Sequence, residues 1–289
     1  MRLEKLRQSK AYEYIKKLLA RLKEDALPDL SAQITYYLIL SFFPFLLFII
    51  NMISYTSLSQ DILFANFSTF LPSETGELLK KILVHTVEAK SAFILVLSLL
   101  AALWSSSRGI AAIMKGVNKA YGSNEKRGFI KLRATALFAT FGFSLLIITA
   151  LFSLVLGEVI GKYVFGLLHA QSIFPIVWSI SRYIIPLLLM FVSLMLLYKV
   201  LPDRKLTFKE VWPGALFATL TWIIASVLFS FYVNNFAAYE KVYGSIGGVI
   251  ALLVWLYTST LIILLGGEIN AFHLYLHHED PEEEPVRKP

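Results

Sequence analysis

Apolar runs long enough to cross a bilayer recur along this chain, and charged residues collect between them. A helix needs roughly 20 residues to span a hydrocarbon core of about 30 Å. The clearest run, Val242 to Gly267, has no charged residue. Gly244, Gly247 and Gly248 stand near its start and Gly266 and Gly267 near its end. Such residues let neighbouring backbones approach where lipid offers no hydrophobic contrast between helices. Glu268 and Asn270 follow, where the helix should meet the headgroups. The same pattern places the other spans, so the six are expected at about 36–56, 91–113, 134–157, 175–198, 211–233 and 244–268. The fold class is therefore an all-α polytopic membrane protein with six transmembrane helices.

Outside the spans the pattern changes. Leu3, Leu6, Ala11, Ile15, Leu18, Leu22 and Ala26 recur at helical spacing with Arg2, Lys5, Arg7, Lys10, Lys16, Lys17, Arg21 and Lys23 on the other faces. That predicts an amphipathic helix over residues 1–30, either on a leaflet containing anionic lipid or packed on the protein's own loops. Residues 31–272 form the membrane domain, with a short surface helix expected around Leu78 to Leu83. Residues 273–289 are acidic and proline-rich at their end and read as a disordered tail.

Within the spans, Pro44 and Pro186 remove backbone donors and should kink the first and fourth helices. Such kinks serve packing or gating. In the second span Ala102, Ser105, Gly109, Ala112 and Gly116 make one stripe entirely small, so another helix should lie against it. Beside that stripe stand Trp104, Ser107 and Arg108, followed by Asn118. With Ser98, Tyr257, Thr258, Ser259 and Thr260, these residues are candidates to line a polar cavity; hydroxyls bonded to their own helix carbonyls are the alternative.

Composition agrees with the pattern: the chain is 57% hydrophobic and only 16% charged, against about 25% charged for soluble domains. Its mean hydropathy is +0.65. The net charge of +7 would suggest nucleic acid in a soluble domain, but in a membrane protein basic residues gather in cytoplasmic loops, and no nucleic-acid partner is expected. Of the 27 Lys and Arg, only Lys80, Lys81, Lys90, Lys162 and Lys241 fall in loops on the side away from the termini. Both termini are thus expected in the cytoplasm, with the protein in the plasma membrane. There is no cysteine, which removes disulfides and thiolate chemistry. The N-terminus has no apolar core of the kind a cleaved signal peptide needs.

Catalytic signatures are missing. Gly157 to Lys162 has the wrong spacing for a phosphate-binding loop, and neither GxSxG nor HExxH occurs. His273 and His277 sit one turn apart beside His278, an arrangement a solvated tail explains, so no metal or cofactor is expected. Ionisable groups at membrane depth remain, and these are functional candidates by default. Arg182 should face the bundle interior or a watery cavity, with Glu158 as its carboxylate. Arg108 and Glu268 should pair at an inner mouth. Purely structural pairs or snorkelling side chains are the competing readings.

Five ordered segments, SAQITYYLILSFFPFLLF, LWSSSRGIAAIMKGVNKAYG, LYKVLPDRK, WPGALFATLTW and YGSIGGVIALLVWLYTSTLIILLGGEINA, make roughly residues 15 to 275 resemble the YihY/BrkB family of bacterial inner-membrane proteins. The resemblance implies six spans in the plasma membrane and places family motifs on Ser41, Pro44, Trp104, Arg108, Asn118, Tyr121, Pro202, Pro213, Gly214, Tyr243, Gly244, Ser245, Trp255, Tyr257, Glu268 and Asn270. Arg182 lies outside them. An old ribonuclease label for the family is regarded as mistaken, and transport is the usual proposal. The expectation is a non-enzymatic transporter or exporter of a small or lipid-like solute, working through a polar cavity open to the cytoplasm. The alternative is an envelope scaffold or lipid-organising protein; the lipid bilayer is the partner, anionic headgroups are candidates at the N-terminal helix, and an oligomer is compatible.

Overall fold

The computed structural model describes residues 20–21, 24–54, 91–123, 125–155, 157–167, 172–236 and 247–277. Among them there is no strand, and seven helices account for the elements: α1 Leu27–Ser54, α2 Ala92–Ala120, α3 Phe129–Val155, α4 Gly157–Leu167, α5 Phe174–Val200, α6 Phe208–Phe236 and α7 Gly247–His277. All except α4 are long and apolar enough to cross a membrane, giving 6 candidate spans. Gly244, most of the N-terminal helix, the segment around Leu78 and the last tail residues lie outside the described residues.

The helices run alternately up and down. α1 packs on α2, α2 on α3, α3 on α5, α5 on α6, α6 on α7 and α7 back on α1, closing a circuit that α7 also crosses to touch α2. The start of α1, the α2–α3 and α5–α6 turns and the end of α7 meet at one end, which is called the basic end because the lysines and arginines concentrate there. Of the largest fully buried side chains, Tyr121, Tyr198, Ile34, Met114, Leu201, Val117, Val211, Phe272 and Leu274 all lie within about three turns of it. The opposite half exposes Phe93, Ile176, Val227, Leu228 and Phe231. In a bilayer those side chains meet acyl chains and lose nothing by exposure.

The helices outrun the spans expected from apolar runs, and the excess lies mostly at the basic end. α6 begins at Phe208 rather than 211 because the Glu210 side chain reaches back to cap its start: the Thr207 amide and hydroxyl both donate to Glu210 Oε2, at 2.5 and 2.9 Å, and the Glu210 amide donates to the Thr207 carbonyl at 3.2 Å. Pro213 is accordingly inside the helix and not at its first turn. α7 continues to His277, beyond the boundary expected at 272, because Phe272 and Leu274 are buried and Phe272 stacks on Tyr275 at 6.4 Å.

One element was not expected. Where the third span should simply end at Glu158, a separate helix, α4, turns along the opposite end. Gly157 and Gly161 allow it to seat: a Cβ on Gly157 would come within 2.7 Å of the Trp178 ring, and one on Gly161 would collide with Phe174. Its Ile160, Tyr163 and Leu167 are exposed, the character of a helix lying in an interface.

Candidate functional site

The small-residue stripe of α2 does what small residues allow. A Cβ on Gly109 would stand 3.5 Å from Leu38 of α1, and one on Gly116 would stand 2.7 Å from Leu264 of α7. Ser107 is buried and its hydroxyl donates to the Trp104 carbonyl at 2.8 Å, while Ser105 is half-buried. Gly248, by contrast, has nothing within 4 Å of a hypothetical Cβ among the described residues, so it opens no helix contact there. Pro44 and Pro186 both lie inside continuous helices, and the Ser41 hydroxyl donates to the Leu38 carbonyl at 2.8 Å, not to the one Pro44 leaves free.

The closest backbone approach is between α6 and α7. Gly214 and Gly266 face one another so tightly that a Cβ on Gly214 would collide with the Gly266 carbonyl, and one on Gly266 with the Tyr198 hydroxyl. Asn270 uses that proximity: its Oδ1 accepts from the Gly214 amide at 2.6 Å. Tyr198 donates to the Ile263 carbonyl at 2.7 Å and ties α5 to the same place. Asn270 therefore holds helices together, and its Nδ2 is buried against the Gly214 backbone without a hydrogen-bond partner.

Glu268, 1% exposed, does not pair with Arg108. Its partner is Arg21, 4% exposed, at 3.5 Å from Arg21 Nε to Glu268 Oε2. Arg21 also donates to the carbonyl of Ala120, the last residue of α2. Burying two charges is costly unless geometry and further hydrogen bonds compensate, so this pair is an expensive contact at the basic end. Four residues on, Lys119 Nζ donates to the Asp25 carbonyl at 2.7 Å and lies 3.9 Å from its carboxylate. Ala26 then takes φ 52°, a left-handed conformation that costs a non-glycine residue roughly 1 kcal/mol, and α1 begins. The described residues 20–21 and 24–26 thus form a strap across the ends of α2 and α7. The segment's polar face, expected toward headgroups or loops, here turns Arg21 into the protein.

Asn118 organises the neighbouring turns. Its Nδ2 donates to Glu125 Oε2 at 2.7 Å and its Oδ1 accepts from the Asp203 amide at 2.7 Å, joining the α2–α3 turn to the α5–α6 turn. Arg127 completes the joint with two bonds to Glu125, at 2.6 and 2.8 Å, and one to the Leu201 carbonyl at 2.8 Å. The Arg127 guanidinium holds the Glu125 carboxyl below the usual carboxylate range. Burial, and then the nearby Glu210 carboxylate, push the Tyr121 phenol well above its ordinary value and keep it protonated.

Arg182 is exposed, not interior; it donates to the Tyr183 hydroxyl at 3.0 Å and lies 4.8 Å from that ring's centre. Glu158 is bonded by Lys162 at 2.6 Å, one turn along α4, in an exposed pair. That lysine, more than Arg182, lowers the Glu158 carboxyl. A hydrophobic helix pattern gave Arg182 the wrong side because an arginine four residues before Pro186 carries no marker of which face the helix turns inward. Trp104 and Arg108 are exposed, with Arg133 stacked over the indole at 3.9 Å and Arg108 at 6.0 Å.

At mid-depth Thr35 and Thr260 join α1 to α7, 3.3 Å apart, and Thr260 also reaches the Ser31 carbonyl at 3.2 Å. Ser259 accepts from Trp222 Nε1 at 3.1 Å, beside a Trp222–Trp255 contact of 5.2 Å; Tyr257 is half-buried. Sequence reasoning passed over Arg21, Thr35, Arg127, Arg133 and Tyr198. For Arg21 and Thr35 the pattern holds no signal, whereas the acid–base alternation of Glu125, Arg127 and Asp203 around two short turns was readable.

A family model described as virulence factor BrkB matches residues 18–289. The chain is 38% identical over 272 residues to YfkH of Bacillus subtilis (strain 168), a protein named ribonuclease-like, covering 94% of this chain and 98% of that one. It is 28% identical over 266 residues to a UPF0761 membrane protein of Aeromonas salmonicida (strain A449), covering 87% and 86%. A UPF0761 membrane protein of Tolumonas auensis is also 28% identical over 271 residues, covering 87% and 82%. No solved structure matches.

Proposed function

The chain belongs to the virulence factor BrkB family, and from that premise we propose that this integral membrane protein is a plasma-membrane transporter or exporter of a small or lipid-like solute, closed at its basic end by the Arg21–Glu268 pair. The observation that carries the reading is that pair. A merely structural closure could be apolar, and apolar replacements of buried ion pairs are often neutral or stabilising. A charged closure, held by a strap that begins α1 through a strained Ala26, is suited to being made and broken. The concentration of lysines and arginines at this end supports a cytoplasmic position for it. The solute path would run between α1, α2 and α7, past Ser107, Thr35 and Thr260, and would be driven by a gradient or be passive, since the sequence has no nucleotide-binding loop.

The word ribonuclease in the name of YfkH concerns that protein. Among the described residues no three His, Cys, Asp or Glu side chains gather as a metal site would require.

A second reading, an envelope scaffold or lipid-organising protein, draws on the hydroxyls. Ser98, Ser106, Ser107, Thr140, Thr219 and Thr258 each donate to a carbonyl of their own helix, which makes them suitable as packing polar groups as well as path-lining ones. The natural absence of cysteine supplies the test. Single cysteines at Ser105, Ser107, Thr258 and Ser259 are probed with a membrane-impermeant thiol reagent from each side. Transport predicts that several of these sites react from one side; no reaction at any of them would sink the transporter and leave the scaffold.

A further inference from the structure

We propose that Arg108, Arg133 and Trp104 form a binding site for the phosphate of an anionic phospholipid, on the outer surface of the bundle between α2 and α3. This site is independent of whether the protein transports anything.

The geometry is specific. Arg133 reaches from the first turns of α3 back to α2, where its Nη2 donates to the Trp104 carbonyl at 2.9 Å and its guanidinium stacks 3.9 Å from the centre of the indole. Arg108, one turn below Trp104 on α2, stands 6.0 Å from the same ring. Two guanidiniums thus share one indole, and among the described residues no carboxylate bridges to either. Arg133 Nε is buried without a hydrogen-bond partner, and Arg108 is exposed. Like charges held together repel unless an anion lies between them. A phosphate is the matching anion, since guanidinium forks fit its oxygens in pairs.

The surroundings decide between a lipid phosphate and a free one. From Ala92 to Arg108 the helix rises about 24 Å, close to the thickness of a hydrocarbon core, which puts Arg108 at headgroup depth. On the membrane side of the arginines, Leu97 and Leu100 of α2 and Phe138 and Phe141 of α3 are exposed. These give acyl chains a surface continuous with the charged site. Trp104, 50% exposed, stands between the two parts, where an indole commonly marks the boundary of a bilayer. A soluble phosphate would use the arginines and leave that apolar surface without a role.

Trp104 reports its own site. The full chain is reconstituted in phosphatidylcholine vesicles, and the fluorescence of the wild type minus that of W104F isolates this indole from the other four tryptophans, of 5 in all. Quenching by chain-brominated phosphatidylglycerol is compared with quenching by chain-brominated phosphatidylcholine. The site predicts a clear preference for phosphatidylglycerol, about fivefold per arginine and so about twenty-fivefold lost in R108Q/R133Q. K209Q, which removes an exposed charge at the same end, should leave the preference intact. Equal quenching of the wild type by both lipids would overturn the proposal, and this arm needs no variant beyond W104F. Loss of preference in K209Q as large as in the double variant would reduce it to general surface charge, and abolition of the preference by excess inorganic phosphate would assign the site to a soluble anion.

Discussion

The two ends of this bundle are built by different physics. At the basic end the helices extend beyond the apolar runs that define the spans, and what they bury there is an ordinary core: Tyr121, Tyr198, Phe272 and Met114, with polar groups answered by Asn118, Asn270 and Arg127. Water surrounds that end, so burial is driven by the hydrophobic effect. At the opposite half, Phe93, Val227, Leu228 and Phe231 are exposed to a solvent as apolar as themselves, and close packing needs small residues or hydrogen bonds instead. Among the described residues the side-chain hydrogen bonds that join different helices and turns concentrate toward the basic end.

The comparison can be broken at several depths. The largest effect is expected from Glu268→Ala, which strands Arg21 as a buried charge; about 3–5 kcal/mol should be lost, read as a lower Tm in detergent. Replacing both partners by apolar residues, R21M/E268L, should recover most of it, and a double variant as unstable as the single one would contradict the pairing. Next comes Gly214→Ala, whose added methyl meets the Gly266 carbonyl and Asn270; about 2–3 kcal/mol is expected, and a neutral result would mean that α6 and α7 are further apart than described.

A third effect depends on pH. The Glu125 carboxyl is held below its ordinary range by Arg127, so its contribution is present above that range and is lost as pH falls through the lowered value. The Tm of the wild type should therefore fall on acidification from about pH 7 to about pH 3 more steeply than that of E125Q. Parallel acid slopes would remove Glu125 from the joint. The smallest effects belong to the opposite half: Val227→Ala and Leu228→Ala should change stability by no more than about 0.5 kcal/mol, and Glu158→Gln, in an exposed ion pair, should leave Tm unmoved. A large loss at Val227 would show that a partner, such as a second copy, covers that face.

Much of the architecture was legible from the apolar runs, because the bilayer imposes one length on every span and forbids unpaired backbone within it. The six long helices and the small stripe on α2 follow from that constraint. The site was less legible, for a physical reason. Which charged residue meets which depends on helix rotation and on segments beyond the bilayer, where no such rule applies: Glu268 was matched with Arg108 on depth alone, while the true partner, Arg21, arrives from the N-terminal strap. Arg182 and Glu158 failed for the same reason, since α4 turned Glu158 toward Lys162. The helix extension at α6 was readable in Thr207 and Glu210, three residues apart.

The most direct test of the closed basic end is labelling of a single cysteine at Ser107 by an impermeant thiol reagent applied from the side of the termini, in the wild-type background and with Glu268→Gln. Ser107 is buried and lies about 20 Å along α2 from Ala120, whose carbonyl Arg21 holds, so the account predicts no labelling in the first and fast labelling in the second. Equal labelling in both, whether fast or absent, would contradict the pair as the closure of the path.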